Sequence, residues 1–520
     1  MNIVKGILKY ALILIALVVG AAFVLGAIMV LAPSVTILGV KYAHIELGDE
    51  GYQVLNVNTS KDVTSLEIDA ADYNVEVVVG EFDTLRVDIK LDAMGFYKAQ
   101  YNETIEDGET VQEEKSIQEI FLPQTNIATM NNGTPSNKVT IKAGKVEGLL
   151  NFTKRSIKVM LPEDKDALNN INITTVDGEV DLTGIRGYNV NLKTESGSQT
   201  ITDCYLEAFT SESKNGEIKV QVSEGKTASN YPITGNVAIT NRFGNVKIQE
   251  GIYIGLSTAN TLTLSNETGT MEFDKVYSNI EYTGDAGLIK INEVKGELKV
   301  TSDDAKFEIG SITGVSSNID AVGEGTLTFV VTGKIVSGTV VDIETETGSV
   351  TINELETGDV RIVTTVGNVK VNKVYNSINV KTTSGNITLR QDDAIQANDA
   401  TLTVETERGI IDLGKVVSRV DAKANNGSIK VIVARLSTYG MKIESDIGAI
   451  QVNLPIISGA SEAFDVITNT TGACKIEHIP GVTANTHSHY NHEGEGCTTA
   501  RKVNITSRAG SITIKGYAED

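Results

Sequence analysis

The chain has few of the residues on which many small secreted proteins and sugar-processing enzymes depend. Its 520 residues include no tryptophan, only 5% aromatic residues, 7 prolines and 3 cysteines. The cysteines (Cys204, Cys474 and Cys497) are too few for a disulfide framework or a closed four-thiolate zinc site. The fold must therefore be held together mainly by packing.

Positive charge is also scarce. The chain has 45 Lys and Arg against 67 Asp and Glu, which gives a formal net charge of -22, and the basic residues do not gather into one stretch. Binding to the phosphate backbone of nucleic acids depends on clustered Lys and Arg. We therefore expect no nucleic-acid partner.

Only one long apolar run is present, at residues 10–32. It is long enough for a membrane-spanning helix, which needs ~20 residues. Lys5 and Lys9 precede it, which favours a cytoplasmic tail at 1–9, a transmembrane helix at 10–32, a linker at 33–60 and the remainder outside the cell. A cleaved signal peptide is the alternative, but the run exceeds the ~7–15 residues of its apolar core. We expect a single-pass protein of the cell membrane.

A short phrase recurs along most of the chain: TTVGNVKV begins at Thr364 and TTSGNITL begins at Thr382. A repeat of this length is typical of a stacked unit that buries its apolar face against its neighbours. Related phrases are centred on sixteen positions: Gly178, Gly197, Gly216, Gly244, Gly269, Gly287, Ala305, Gly325, Gly348, Gly367, Gly385, Gly409, Gly427, Gly448, Gly472 and Gly510.

Each phrase has the same internal pattern. Around Gly385, apolar residues alternate before the glycine and again after it (Ile387 and Leu389), and most phrases add a third at a corner, such as Val374. Period-two alternation predicts strands with one buried face, and the glycine suits a turn at positive φ. The sequence therefore predicts an all-β parallel β-solenoid of about 16 coils over residues 166–520, each coil stacked on its successor. Sandwich domains would not repeat one phrase so regularly.

When the phrases are aligned on their glycine, two aligned positions (columns) support in-register stacking. Three residues before the glycine stand Thr, Ser or Asn in most phrases, including Thr382 and Asn469, which predicts a hydrogen-bonded ladder. Three residues after the glycine, charges alternate in sign over four successive phrases: Lys247, Glu272, Lys290 and Glu308. Opposite charges facing each other on neighbouring strands favour one register.

The part that precedes the regular phrases follows a different pattern. Residues 65–90 already alternate, so we assign 61–165 to an N-terminal β cap or first coils. Residues 93–140 are polar, with no clear period, and are interpreted as an irregular insertion. Both ends of a solenoid need a cap, because an open end exposes sheet edges and core.

The repeat spacing increases near the C-terminus, where we expect a distal loop at 480–500. His487, His489 and His492 are spaced so that imidazole nitrogens could bind Zn²⁺ or a related ion, and no other cofactor is expected. Cys474 and Cys497 flank the loop and could close it with a disulfide in an exported protein. The alternative is an exposed polar loop with incidental histidines.

These phrases resemble the "putative adhesin" family of microbial envelope proteins, whose domain is a β-solenoid of T-x-S-G-x-I-x-V coils. The resemblance covers residues 61–516, and SLEIDAADYNVEVVV, beginning at Ser65, is similar to that family's opening strand pair. It implies surface exposure and brings no catalytic residues to this chain.

The expected function is therefore that of a membrane-anchored extracellular adhesin that is not an enzyme and binds a surface polymer, glycan or protein partner. A structural or sensory scaffold of the cell envelope is the alternative. A polysaccharide-active β-helix enzyme is a third interpretation, which is disfavoured because the carboxylates are scattered and no tryptophan is available to stack on sugars.

Overall fold

The computed structural model describes residues 19, 34–57, 63–106, 109–131, 134–163, 170–314, 318–391, 400–435, 440–456, 464–478, 489–492 and 501–518. Two compact units, Met1–Cys204 and Tyr205–Asp520, divide the chain. Each is built from strands that alternate between buried and outward side chains.

Between residues 34 and 163, the described part of the first unit includes a short helix, α1 (Ile117–Phe121). Its strands are β1 (Ser34–Ile37), β2 (Val40–Val57), β3 (Val63–Asp69), β4 (Asn74–Gly80), β5 (Leu85–Lys98), β6 (Tyr101–Glu106), β7 (Glu109–Glu114), β8 (Gln124–Asn131), β9 (Thr134–Lys142), β10 (Gly148–Pro162), β11 (Asn170–Thr175), β12 (Val180–Thr183), β13 (Arg186–Thr194) and β14 (Gln199–Thr202).

Solenoid coils begin within this unit. β3, β11 and β13 pair side by side in parallel, and β4, β12 and β14 form a second parallel ladder. Ile171 lies between Leu66 and Val190 in register, and all three side chains are buried. The alternating apolar positions therefore form one continuous core between the two ladders.

Both ladders continue on the N-terminal side with other strands. β9 pairs in parallel with β3 and is followed by antiparallel β8. β10 pairs in parallel with β4, and β5, β2 and β1 follow as antiparallel strands. The segment assigned to a linker (33–60) thus contains β1 and β2. The insertion described as irregular (93–140) contains the β6–β7 hairpin, α1, β8 and β9, and every side chain of β7 is exposed, so no apolar alternation marks it.

Helix α1 covers apolar side chains of this cap. Ser116 caps its first turn, and the Glu119 carboxylate accepts a hydrogen bond from the Ser116 amide. Phe121 is buried, its ring packs edge-on against Tyr97 at 5.0 Å, and its carbonyl accepts a hydrogen bond from the Tyr73 hydroxyl. One turn of helix therefore contributes a large side chain to the core.

The second unit contains a short 3₁₀ helix (Ala228–Asn230) and most of the coils. Its strands are β15 (Tyr205–Ser213), β16 (Ile218–Gln221), β17 (Val237–Asn241), β18 (Val246–Ile248), β19 (Tyr253–Ile254), β20 (Thr261–Asn266), β21 (Thr270–Val276), β22 (Asn279–Val294), β23 (Leu298–Ile312), β24 (Asn318–Thr326), β25 (Thr328–Ile335), β26 (Val340–Thr347), β27 (Val350–Leu355), β28 (Asp359–Val366), β29 (Val369–Val374), β30 (Ile378–Ser384), β31 (Ile387–Arg390), β32 (Thr401–Arg408), β33 (Ile411–Val416), β34 (Arg419–Asn426), β35 (Ile429–Val433), β36 (Met441–Ile447), β37 (Ile450–Ile456), β38 (Phe464–Thr470), β39 (Cys474–Glu477), β40 (His489–His492), β41 (Arg501–Ser507) and β42 (Ile512–Ala518).

The parallel solenoid is confirmed, with the predicted orientation of its side chains. Val371 pairs with Ile352 on one side and Leu389 on the other, and Val374 and Ile387 are fully buried. The fold has about 13 turns, fewer than the 16 counted from the phrases. The coils follow one another in sequence order up to the Gly448 phrase, and the last two phrases add coils in exchanged order.

Glycine is needed at the turns mainly because neighbouring coils approach closely. A Cβ atom at Gly385 would lie 1.8 Å from the carbonyl oxygen of Gly367, and one at Gly367 would lie 1.5 Å from that of Gly348. Neither Gly385 nor Gly367 has a positive φ, whereas Gly348 does. The expectation of a left-handed turn therefore holds at only some coils, and contact between backbones accounts for the rest.

The small polar column forms the predicted ladder. Thr382 donates to the carbonyl of Gly367 at 3.3 Å and accepts from the Thr364 hydroxyl at 2.9 Å. The assignment of Asn469 to this column is wrong, because Asn469 is exposed and Thr470 donates to the Gly510 carbonyl at 2.7 Å instead. In that phrase the ladder residue lies two positions before the glycine, whereas in the other phrases that carry a ladder residue it lies three positions before.

The last coils are stacked out of sequence order. β36 and β37 pair with β41 and β42, and β41 and β42 then pair with β38 and β39. The coil at Gly510 thus lies between those at Gly448 and Gly472. β40 adds antiparallel to the outer side of β38. Stacking of every coil on its successor is therefore wrong at this end.

The predicted transmembrane helix at 10–32 lies outside the described residues, apart from Val19. Among the residues that are described, we find no helix with the length and apolar character needed to cross a bilayer.

Candidate functional site

On the outward face of the second unit, side chains at equivalent positions of successive coils form rows, and one row alternates in charge. Lys247 faces Glu272, Glu272 faces Lys290, and Lys290 faces Glu308 in register, as predicted. The Lys290 ammonium lies 3.1 Å from Glu272, and these side chains are about 40% exposed. Such exposed pairs stabilise the fold by only ~0–1 kcal/mol each, so they define register more than stability.

An aromatic and cationic cluster lies at one corner of the same unit, and we call it the tyrosine–lysine stack. The rings of Tyr253 and Tyr277 are stacked, with centroids 5.4 Å apart and an angle of 17°. The Lys295 ammonium lies 3.9 Å from the centroid of Tyr277, and that of Lys275 lies 5.2 Å from the centroid of Tyr253. Contacts of this kind stabilise by ~0.5–1 kcal/mol at exposed sites.

Regular strand pairing places these side chains together. Ile254 pairs with Val276 and both point inward, so the flanking Tyr253 and Tyr277 point outward on neighbouring coils. Gly255, which follows Ile254, has a φ of 69°, and its missing Cβ leaves room for Ser278.

 

A Cβ atom at Gly255 would lie 2.6 Å from the Cβ atom of Ser278. Glycine therefore allows the two corners to approach, and the Tyr277 amide donates to the Ile254 carbonyl at 2.8 Å.

The stack carries two ammonium groups and has one carboxylate nearby. The neighbouring Tyr253 phenol is the largest contribution that raises the pKa of Lys275 above its ordinary value, so this lysine stays protonated. Glu293 lies 3.8 Å from the Lys295 ammonium and partly balances it. The stack therefore presents aromatic edges and ammonium groups on a rigid corner, which can contact polar or anionic groups of a partner.

Sequence reasoning missed this stack. Tyr253 precedes the inward corner residue of its coil, whereas Tyr277 follows the corner residue of the next coil. An alignment by columns therefore separates the two tyrosines, and only their diagonal contact brings them together. The signal that was present is the pair of aromatic residues beside successive corners.

The predicted metal site lies largely beyond what can be described. His489 and His492 are the first and last residues of β40, whose backbone pairs with β38, while His487 falls outside the described residues. Within the described part of the chain, we find no group of three His, Cys, Asp or Glu side chains placed to hold a metal ion. Metal binding by this loop stays a prediction.

The three cysteines differ in what the structure describes. Cys474 is buried, with its sulfur 3.7 Å from the Thr468 hydroxyl, whereas Cys497 lies outside the described residues. The disulfide between Cys474 and Cys497 therefore stays a prediction. Cys204 is buried at an inward corner, and burial raises the pKa of its thiol to about 12.

The ladders and corners define a β-solenoid repeat protein. A family model described as "Toastrack DUF4097" matches residues 63–251 and 233–515. The chain belongs to this family, and the resemblance noted from its phrases is confirmed.

Two solved structures are similar to this chain over most of its length. One is a "putative cell adhesion protein" from Clostridium sporogenes, with 9% identity, a TM-score of 0.14 and coverage of 90% of this chain and 100% of the other. The second is a "Putative lipid binding protein" from Parabacteroides distasonis, with 11% identity, a TM-score of 0.12 and coverage of 90% and 97%. TM-scores this low support no conclusion about this chain. No curated protein matches this chain.

Proposed function

We propose that the chain is a membrane-anchored protein of the cell surface that binds a surface polymer, glycan or protein partner and is not an enzyme. The tyrosine–lysine stack is the observation that carries this proposal. It combines half-exposed aromatic rings with exposed ammonium groups on a scaffold whose backbone is hydrogen-bonded on both sides.

The rest of the solenoid favours the same interpretation. Polar side chains that point inward are used in contacts between coils, as Thr382 and Thr406 are with the carbonyls of Gly367 and Gly385. A partner would therefore meet the outward rows and the corners. Aromatic residues are enriched in the centres of protein interfaces because they bury a large area with few rotatable bonds.

Replacing both tyrosines of the stack tests this proposal. We expect Tyr253→Ala with Tyr277→Ala to weaken attachment of cells that carry the protein to their native surface or to purified envelope polymer. The solenoid should stay folded, because both side chains point outward. Tyr101→Ala is a matched control, since Tyr101 is an exposed tyrosine of the first unit. Equal attachment by the double variant and the control would contradict a role for the stack.

The proposed topology is an anchor at 10–32 with the C-terminus outside the cell. Protease added to intact cells, or to spheroplasts where an outer envelope is present, should then remove the solenoid and leave the anchor. Release of a soluble form that begins near Pro33 would instead support the cleaved signal peptide.

The distal loop at 480–500 is proposed as a second contact. Deleting residues 484–496 should leave the coils folded and weaken attachment, while calorimetry with Zn²⁺ at neutral pH tests its histidines separately. Unchanged attachment would remove the contact, and absent Zn²⁺ uptake would remove the metal.

A further inference from the structure

The hairpin formed by β1 and β2 has an apolar side that the fold leaves exposed. Val35 pairs with Tyr42, and Ile37 pairs with Val40. Directly opposed residues of an antiparallel pair point to the same side, so these four side chains form one surface. Ile37 is 41% exposed, and the other three are half-buried. Together with Leu38 in the turn, they form what we call the apolar hairpin face.

The other side of the hairpin is polar and contacts the body of the first unit. Thr36 pairs with Lys41, and the Lys41 ammonium lies 2.6 Å from the Glu114 carboxylate of β7. The two sides therefore differ, since one is bound within the unit and the other presents apolar groups. Single exposed apolar residues are ordinary on protein surfaces, whereas a contiguous set marks a contact site.

The turn residue Leu38 opposes the local preference of its turn. Leu38 and Gly39 have φ angles of 50° and 81°, so both central residues of this two-residue turn are left-handed. Asn, Asp and Gly are the residues that favour such hairpin turns. Leu38 nevertheless occupies the first position and is 99% exposed, so the described part of the chain gains no packing from it. A residue that opposes its local conformation without packing points to a role outside the fold.

The position of the hairpin in the chain indicates what covers the apolar hairpin face. The apolar run at 10–32, proposed above as the membrane anchor, ends just before β1 begins at Ser34. An extended chain advances at most ~3.6 Å per residue, which keeps Leu38 within about 22 Å of residue 32. The interfacial layer on each side of the hydrocarbon core is ~5–8 Å thick. The hairpin is therefore close enough to lie against the bilayer that the anchor would span.

The charges beside the hairpin select the kind of lipid surface. Tyr42 is amphipathic and suits the layer between headgroups and acyl chains. Farther along β2, Glu46, Asp49 and Glu50 are exposed, and anionic headgroups would repel them. The contact must therefore come from apolar burial in a zwitterionic surface and not from charge.

We infer that the apolar hairpin face docks on the bilayer surface, with Ile37 and Leu38 inserted below the headgroups of zwitterionic lipids. Insertion removes from water the apolar area that the fold leaves exposed. The inference rests on the proposed anchor at 10–32 and adds a second membrane contact. That contact orients the first unit relative to the membrane.

Fluorescence of the full chain in phosphatidylcholine vesicles tests the docking. The chain has no tryptophan, so Ile37→Trp provides a single reporter at the hairpin. We expect its emission to shift to shorter wavelength in vesicles and to lose intensity when the acyl chains carry bromine. Leu256→Trp is the matched reporter, because Leu256 is a 57% exposed apolar residue of the second unit. Its emission should keep its intensity in brominated lipid.

Leu38→Asn, combined with Ile37→Trp, separates docking from folding. Asparagine is favoured at this turn position, so the hairpin should fold at least as well while the quenching by brominated lipid falls. Ile105→Asn in the same background is the matched control, since Ile105 is an 80% exposed apolar residue of β6. It should leave the quenching unchanged.

Vesicle flotation separates this inference from the proposed anchor. A chain that floats with the vesicles, but whose reporter at position 37 is not quenched, overturns the inference and leaves the anchor standing. A chain that does not float overturns both. A shift to shorter wavelength without quenching also overturns the inference and assigns the apolar hairpin face to a protein surface. Quenching that Leu38→Asn leaves unchanged refutes the insertion of the turn.

Discussion

Replacing Gly197 with alanine tests the idea that glycine is needed for space between coils. A Cβ atom at Gly197 would lie 1.8 Å from the carbonyl oxygen of Gly178 and 2.5 Å from its carbon. Gly197 is not among the described residues with positive φ, so its backbone alone does not demand glycine. The contact with the preceding coil is therefore the reason that glycine is needed at this position.

The size of the effect follows from the hydrogen bonds beside the contact. The Glu195 amide donates to the Val176 carbonyl at 3.0 Å, and the Val180 amide donates to the Ser198 carbonyl at 2.9 Å. Relief of the overlap requires the coils to separate by about 1 Å, which stretches both bonds beyond a useful length. Two bonds of ~1 kcal/mol each, with the lost packing, predict destabilisation of about 3 kcal/mol.

Hydrogen exchange measured by mass spectrometry suits this test, since a chain with two units need not unfold in one step. Peptides that cover residues 170–202 should exchange about 100-fold faster in Gly197→Ala, as 3 kcal/mol implies. Gly144→Ala is the matched control, because a Cβ at Gly144 meets nothing within 4 Å. Gly197→Asn separates the effect of backbone conformation from that of space. Asparagine tolerates positive φ, but its Cβ atom makes the same clash as that of alanine. Wild-type protection in Gly197→Asn would refute the argument from space.

Three further outcomes are expected. Ile387→Asp should unfold its coil locally, at a cost of more than about 3 kcal/mol, because Ile387 is fully buried, and Thr388→Asp on the outward side should be tolerated in the same exchange experiment. Thr382→Val should destabilise by ~1–3 kcal/mol, since the bonds to Gly367 and Thr364 are lost, which thermal melting would detect. Cys204 should resist iodoacetamide in the folded chain, because burial raises its pKa to about 12. The stability that its buried neutral thiol contributes is present below the ordinary thiol pKa and is lost as pH rises from that pKa toward about 12. Rapid alkylation of the folded chain at pH 8 would contradict the burial of this thiol.

The sequence predicts which side chains of a coil point inward more reliably than it predicts the position of that coil in the stack. The alternation around Ile387 and Leu389 identifies inward positions because side chains on a strand alternate with period two. Asn469 was assigned to the polar ladder instead of Thr470, because the ladder residue was assumed to lie three positions before the glycine in every phrase. In the Gly472 phrase it lies two positions before. The exchanged order of the last coils could not be predicted, because every phrase presents the same pattern and can pair with any other. The β6–β7 hairpin gave no signal, since neither of its faces shows buried side chains in β7.

The buried ion pair between Arg155 and Asp72 shows a similar limit in a different part of the chain. Arg155 and Asp72 are 83 positions apart, and neither stands in a motif. Their pairing depends on β10 lying beside β4, after the chain has formed β5 to β9. Local patterns predict both strands, but the register between them is a tertiary property.

The exchanged coils at the C-terminus give the chain an order of assembly. During synthesis, residues 464–477 emerge before residues 501–515, yet the later segment occupies the position next to the Gly448 coil. The earlier segment must therefore wait, or leave its first partner, until residues 501–515 have been synthesised. Completion of this end of the solenoid is thus tied to the later segment. A nascent chain that stops at residue 480 lacks the Gly510 coil. Its Gly472 coil therefore has no partner on which to stack.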